Sequence, residues 1–295
     1  MLASLLETLS YDFIQQALTM AILLSVAAAV LSCLLVLRGW ALMGDAISHA
    51  VLPGIVLAYA AGIPVVIGAF VAGLLCSVAT GYLSENSRLK EDTVMGVVFS
   101  GMFGLGILLF SMLQIDVHLH DILFGDILGL SWLDVAKTGV VAVIACGVIL
   151  AKRKDLLVLA FDPQHARTIG LPISLLHYGL LIVLSIVIVA GLKAVGIILI
   201  IALLIAPGAI AHLLADRFDR MLLVAVVVSV VCAIVGVIGS LYIGSATAPT
   251  IVLALMVVFI LAFLFAPTHG LVTRTITTKR TDNIGTTEQL IKKVH

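Results

Sequence analysis

Long apolar runs succeed one another along almost the whole chain, and no other feature restricts its fold so severely. They lie near residues 13–37, 47–61, 64–83, 94–113, 132–151, 173–192, 194–214, 221–243 and 248–266. As helices rising ~1.5 Å per residue, they cross much or all of a hydrocarbon layer ~30 Å thick. Inside that layer every backbone N–H and C=O must be paired, which leaves helices or closed barrels, and continuous rather than alternating apolar runs select helices. The expected fold is all-α: a polytopic membrane bundle of about eight or nine transmembrane helices. The second run is short and reads as a partial or tilted span.

Composition excludes a water-soluble domain, because 62% of residues are hydrophobic and only 11% charged. The opening MLASLLETLSYDF is mildly acidic and lacks the charged start and small-residue cleavage site of a signal peptide, so the first helix is expected to be retained. Cys33, Cys76, Cys146 and Cys232 stand singly in apolar runs, without metal or redox spacing, and read as reduced packing residues. Glycines in FGDILG, SGMFGLG and at 236, 239 and 244 recur at spacings that let helix backbones approach.

Alternating the connecting loops between two sides sorts the cations. One side collects Arg38, Arg88, Lys90, Lys152, Arg153, Lys154, Arg167, Arg217, Arg220, Arg274, Lys279, Arg280, Lys292 and Lys293; the other has Lys137 and Lys193. The positive-inside rule puts the first set and the C-terminus in the cytoplasm. Nine crossings then place the N-terminus outside, and a re-entrant second segment places it inside. Residues 1–270 form the membrane domain, and the polar stretch 271–295 is expected to be a mobile cytoplasmic tail.

Within this apolar chain, GDAISHAVLPG sets Asp45 four residues before His49, hence on one helix face. Ionisable groups at membrane depth are costly and by default functional, and a carboxylate with an imidazole suits a divalent transition metal. Alternatively, Asp45 caps the helix that follows Gly44 and His49 donates to a nearby carbonyl. A second cluster, DVHLHD, brings Asp116, His118, His120 and Asp121 together on the outer side, either as an outer metal contact or as a solvated loop. His212, a turn before Asp216, lines an exit or snorkels to the interface. Pro207 with Gly208 loosens a helix, which suits a moving segment or one repaired by its neighbours. His177 and His269 carry no clear pattern.

The connection from Lys152 to Pro172 has helix signals in its middle: Asp162 with Pro163 as cap and first position, Gly170 with Pro172 as stop. A short helix presenting His165, Ala166 and Arg167 fits a partner's groove or an anionic lipid surface. No GxxxxGK[ST] loop occurs, so the chain does not hydrolyse ATP by that route. It borrows an ATPase, runs on an ion gradient or conducts passively. HExxH is absent too, which removes a metalloprotease of that type.

LRGWALMGDAISHAVLPG, RLKEDTVMGVVFS, ILFGDILG, LAFDPQHARTIGLP, AVGIILIIALLIAPGAIAHLLADRF and LAFLFAPTHGL, in this order from about Tyr11 to Gly270, resemble the permease subunits of bacterial ABC importers for manganese, iron or zinc. The resemblance implies a fold similar to the vitamin B12 and haem importers with fewer helices, working as a homodimer or a heterodimer with a related permease. It implies an ATP-binding subunit on the cytoplasmic side, a periplasmic or lipid-anchored metal-binding protein outside, and a multi-pass position in the bacterial cytoplasmic membrane. Membrane lipid is the remaining partner, and nucleic acid has no part. By the same resemblance Asp45 and His49 contact or gate the ion, and residues about 160–171 form the coupling helix, with Asp162, Pro163, His165, Ala166, Arg167 and Gly170. No cofactor is held tightly; the divalent ion is cargo. The chain is a transport subunit and not an enzyme, with a gradient-driven secondary metal transporter as the alternative. Oxygen and nitrogen ligands suit all three metals, but the motifs look closer to manganese and iron members, and no long histidine-rich segment points to zinc.

Overall fold

The computed structural model describes residues 11–113, 125, 127 and 129–266, and every described element is helical. DVHLHD and the tail 271–295, with His118, His120, Asp116 and Asp121, lie outside the described residues. In chain order the helices are α1 Asp12–Arg38, α2 Met43–Ala50, α3 Leu52–Ala60, α4 Val65–Asn86, α5 Glu91–Leu113 and α6 Trp132–Ala151. There follow α7 Arg153–Phe161, α8 Pro163–Thr168, α9 Ile173–Leu214, α10 Phe218–Ile243 and α11 Thr247–Phe265.

Eight stretches among the described residues are long and apolar enough to cross a membrane, α2 and α3 together making one of them. Pro53 near the start of α3 has no N–H to give, so the helix is interrupted at Val51 without changing course. The second apolar run is therefore an 18-residue span, Met43–Ala60, about 27 Å long.

α9 is 42 residues long and as a straight rod would reach roughly 63 Å, twice the hydrocarbon thickness. It does not stay straight. Gly196 has φ 76 and ψ 173, a combination open essentially to glycine alone. A Cβ built on Gly191 would stand 2.7 Å from Cδ1 of Ile200, although residues nine apart on a straight helix are separated by ~13.5 Å. The chain folds back at Gly196, and α9 is two antiparallel limbs. The first begins beside Arg38, which contacts His177 at 2.6 Å, and ends at Lys193, paired with Asp134. The second returns past Gly208, which meets Ser32 on α1. The apolar runs 173–192 and 194–214 are thus separate limbs, which brings the membrane-length segments among the described residues to nine.

The tracing gathers Arg38, the α4–α5 turn with Arg88 and Lys90, and α7 and α10, joined by Arg153 and Asp219 at 2.8 Å, at one end of the bundle. Lys193 with Asp134 marks the other end. For Arg38, Arg88, Lys90, Arg153 and Lys193 this is the expected sorting; the cations of the tail lie outside the described residues. α1, the α2–α3 span and α9 are mostly buried and form the core, whereas α5 exposes most of its surface. Pro207, inside the second limb of α9, is buried, and Ser32 on α1 bonds the groups beside it. The four cysteines are free, three of them buried.

Candidate functional site

α1 ends in a turn that decides where the site begins. Gly39, at φ 75, takes the left-handed conformation; its N–H donates to the carbonyl of Val36, and that of Trp40 to Leu35 at 2.7 Å. This Schellman closure satisfies the last carbonyls of α1 and turns the Trp40 side chain into the core, where it is 1% exposed. Met43 N–H then donates to the Trp40 carbonyl at 2.9 Å and α2 starts. Asp45 lies in its first turn and His49 in its last.

Asp45 and His49 face each other, with Nε2 of His49 3.3 Å from Oδ1 of Asp45. Asp45 makes no capping bond to the start of α2, so the pair replaces the cap reading. The His49 ring is held by two aromatic rings of α5, Phe99 at 5.7 Å and Phe103 at 5.3 Å, the latter edge-on. Counting along α5 from Glu91, those rings stand roughly 12 and 18 Å from its start. Both side chains keep an open side, 37% exposed for Asp45 and 27% for His49. Below them Leu204 of α9 fills the space over Gly44, where a Cβ would come within 3.0 Å of it.

A carboxylate oxygen and an imidazole nitrogen side by side make half of a first-row metal's ligand set. Among the described residues no group of three or more His, Cys, Asp or Glu side chains completes one. Among the described residues the pair therefore offers an ion two ligands and no more.

At the cation-rich end, α8 takes the expected cap: the Asp162 carboxylate accepts from His165 N–H at 2.9 Å, and Pro163 fills the first turn. Gly170, at φ 76, closes it. His165 and Arg167 are exposed, but Ala166 is fully buried. Ala166 is therefore not presented to a partner; it anchors α8 to the chain's own core. Sequence reading also missed α7, which follows α6 directly through Lys152. It missed the apolar flanks of α8 as well: Phe161 is 70% exposed and Ile169 53%. Alternation of Asp162, Pro163 and Gly170 with those two apolar residues was the available signal. His212 is exposed near the end of α9, which stops at Leu214, so Asp216 lies past the helix and not one helical turn from His212.

The chain matches the model of the ABC 3 transport family over residues 10–266. It is 56% identical over 266 residues to the chelated iron transport system membrane protein YfeD of Yersinia pestis, covering 90% of each chain. It is 47% identical to the manganese transport system membrane protein MntB of Synechocystis sp., covering 90% of this chain and 87% of that one. Among solved structures, PsaBC from Streptococcus pneumoniae in complex with Fab superposes with a TM-score of 0.82 at 35% identity, covering 95% of this chain and all of that one. An inward-facing putative metal-chelate type ABC transporter shares the fold, at a TM-score of 0.57 and 15% identity over 85% of this chain and 82% of that one. With a helical membrane bundle among the described residues and a family match running from α1 to α11, the chain belongs to the ABC 3 transport family.

Proposed function

We propose that the chain is the membrane subunit of an ATP-driven importer for a divalent first-row metal ion, manganese or iron in preference to zinc. The Asp45–His49 pair carries this reading: one oxygen and one nitrogen ligand, 3.3 Å apart and open on one side, within a membrane-length helical span. A carboxylate left facing lipid there would be costly. A second copy, or a related permease, placed against the open side removes that cost and brings two more ligands across a two-fold axis. The exposed surface of α5, with Gly101 and Gly104 open to close approach, supports such a neighbour.

Energy comes from a separate ATP-binding subunit, since this chain has no phosphate loop. That subunit seats on α8, where His165, Arg167, Phe161 and Ile169 offer a mixed apolar and basic surface. The cation-rich end faces the cytoplasm of a bacterial inner membrane, and a metal-loaded binding protein, periplasmic or lipid-anchored, docks at the Lys193 end. The relatives' iron and manganese names support the choice of cargo, and membership of an ABC family supports ATP over an ion gradient.

The test is metal accumulation in cells stripped of their own manganese, iron and zinc importers, expressing this chain with and without its ATPase and binding protein. Uptake of one metal only when all components are present is the expected result. Uptake by this chain alone, unaffected by loss of the ATPase, would overturn it.

A further inference from the structure

α8 is joined to α9 without slack. Leu171 N–H donates to the Ala166 carbonyl and Gly170 N–H to that of Arg167, both at 3.1 Å, a Schellman closure. Pro172 then opens α9, with Leu171 and Ile173 packed on the core. Displacement of α8 passes into the first turns of α9 instead of being absorbed by a loop.

The second turn of α9 carries His177, 5% exposed. Arg38, at the end of α1, approaches its Nδ1 at 2.6 Å. Arginine has only donors, so Nδ1 accepts and the ring proton sits on Nε2. The same guanidinium lies 3.7 Å from the centre of the Trp40 ring, and Trp40 meets His177 edge-on at 5.0 Å. Gly81 on α4 makes the room, because a Cβ there would be 3.0 Å from Nε2. Trp40 in turn accepts from Met43, the first residue of α2, so the chain of contacts runs from α8 through His177, Arg38 and Trp40 into the helix bearing Asp45 and His49. Trp40 Nε1 and His177 Nε2 are buried without a partner among the described residues.

We propose that Arg38, Trp40 and His177 are positioning residues that convert displacement of α8 into displacement of α2 and of its metal-contacting pair. The proposal rests on the reading of α8 as the ATPase contact and of Asp45 and His49 as the ion contact.

The experiment uses the full complex in proteoliposomes with Mn²⁺ as the probe, reading uptake and ATP hydrolysis in the same vesicles. For Arg38→Lys and His177→Ala, hydrolysis is expected to stay within about twofold while Mn²⁺ moved per ATP falls roughly tenfold, mid-range for coupling between sites. Trp40→Phe, which keeps the ring stack and removes the indole N–H, is expected to retain most coupling. An unchanged Mn²⁺-to-ATP ratio, or uptake and hydrolysis falling in proportion, would overturn the proposal. Should His177→Ala fail to assemble, Arg38→Lys, which keeps the charge, decides between those outcomes. Absence of ATP-driven uptake in the unmodified complex would instead mean that the underlying reading has failed.

Discussion

The backbone N–H of Gly208 donates to the hydroxyl of Ser32 across 2.9 Å, and that hydroxyl donates onward to the carbonyl of Ile205 at 3.2 Å. One side chain on α1 thereby serves two backbone groups beside Pro207 on the second limb of α9. Ser32→Ala removes both contacts and is expected to cost about 1 kcal/mol, the scale of polar contacts between membrane helices. Gly208→Ala attacks the same junction by volume, since its Cβ would sit 2.5 Å from the Ser32 carbonyl oxygen. Forcing two backbones apart is expected to cost more, about 1–3 kcal/mol. Thermal melting of the purified chain in detergent should rank Gly208→Ala below Ser32→Ala; the reverse order would mean that the hydrogen bonds dominate the junction.

Asp45→Ala and His49→Ala are each expected to lower metal uptake by at least about tenfold, the scale at which even supporting groups around a metal are felt. Both side chains keep an open side, so neither substitution leaves a large hole in the core. Assembly with the ATPase should persist, checked by co-purification. Uptake retained in the double variant would remove the pair from the ion's path.

Much of this was legible from one sequence because membrane helices announce themselves locally. The nine apolar runs correspond to nine membrane-length segments among the described residues, and even the division of α9 was present as the polar Lys193 between two runs. Asp45 and His49 were legible because their contact is four residues long. What sequence reading missed depends on distance along the chain or on facing. His177 showed no pattern because its partner Arg38 is 139 residues away, and Ser32 gave no sign of serving Gly208, 176 residues on. Ala166 was misjudged because a six-residue helix has too few positions to reveal which side is buried.

Ser131, Asp134 and Lys193 form a small polar cluster at the end of the bundle away from Arg38. Ser131 caps α6 by accepting from Asp134 N–H, and its hydroxyl donates to the Asp134 carboxylate at 2.7 Å, while Lys193 donates to the other oxygen at 2.8 Å. Losing the cap through Ser131→Ala is expected to cost about 1 kcal/mol. Lys193 is largely exposed, so Lys193→Ala is expected to cost less than about 1 kcal/mol, as surface pairs do. A larger loss for Lys193→Ala in detergent melting would show that the bridge fixes the hairpin tip of α9 and does more than decorate it.

The tip of α9 leaves little room for substitution. At φ 76 and ψ 173, Gly196 has a conformation that a side chain does not tolerate, so Gly196→Ala is expected to cost about 1–3 kcal/mol in strain alone. Gly125 packs directly on that turn: a Cβ there would lie 2.4 Å from the Gly196 nitrogen and 2.5 Å from the carbonyl carbon of Val195. Gly125→Ala therefore pushes on the same peptide that Gly196→Ala distorts. Once either substitution has displaced the turn, the other has less native contact left to lose, and the double variant should melt at a higher temperature than the sum of the single losses predicts. Additive losses would mean that the two glycines are constrained independently and that the segment around Gly125 does not bear on the reversal of α9.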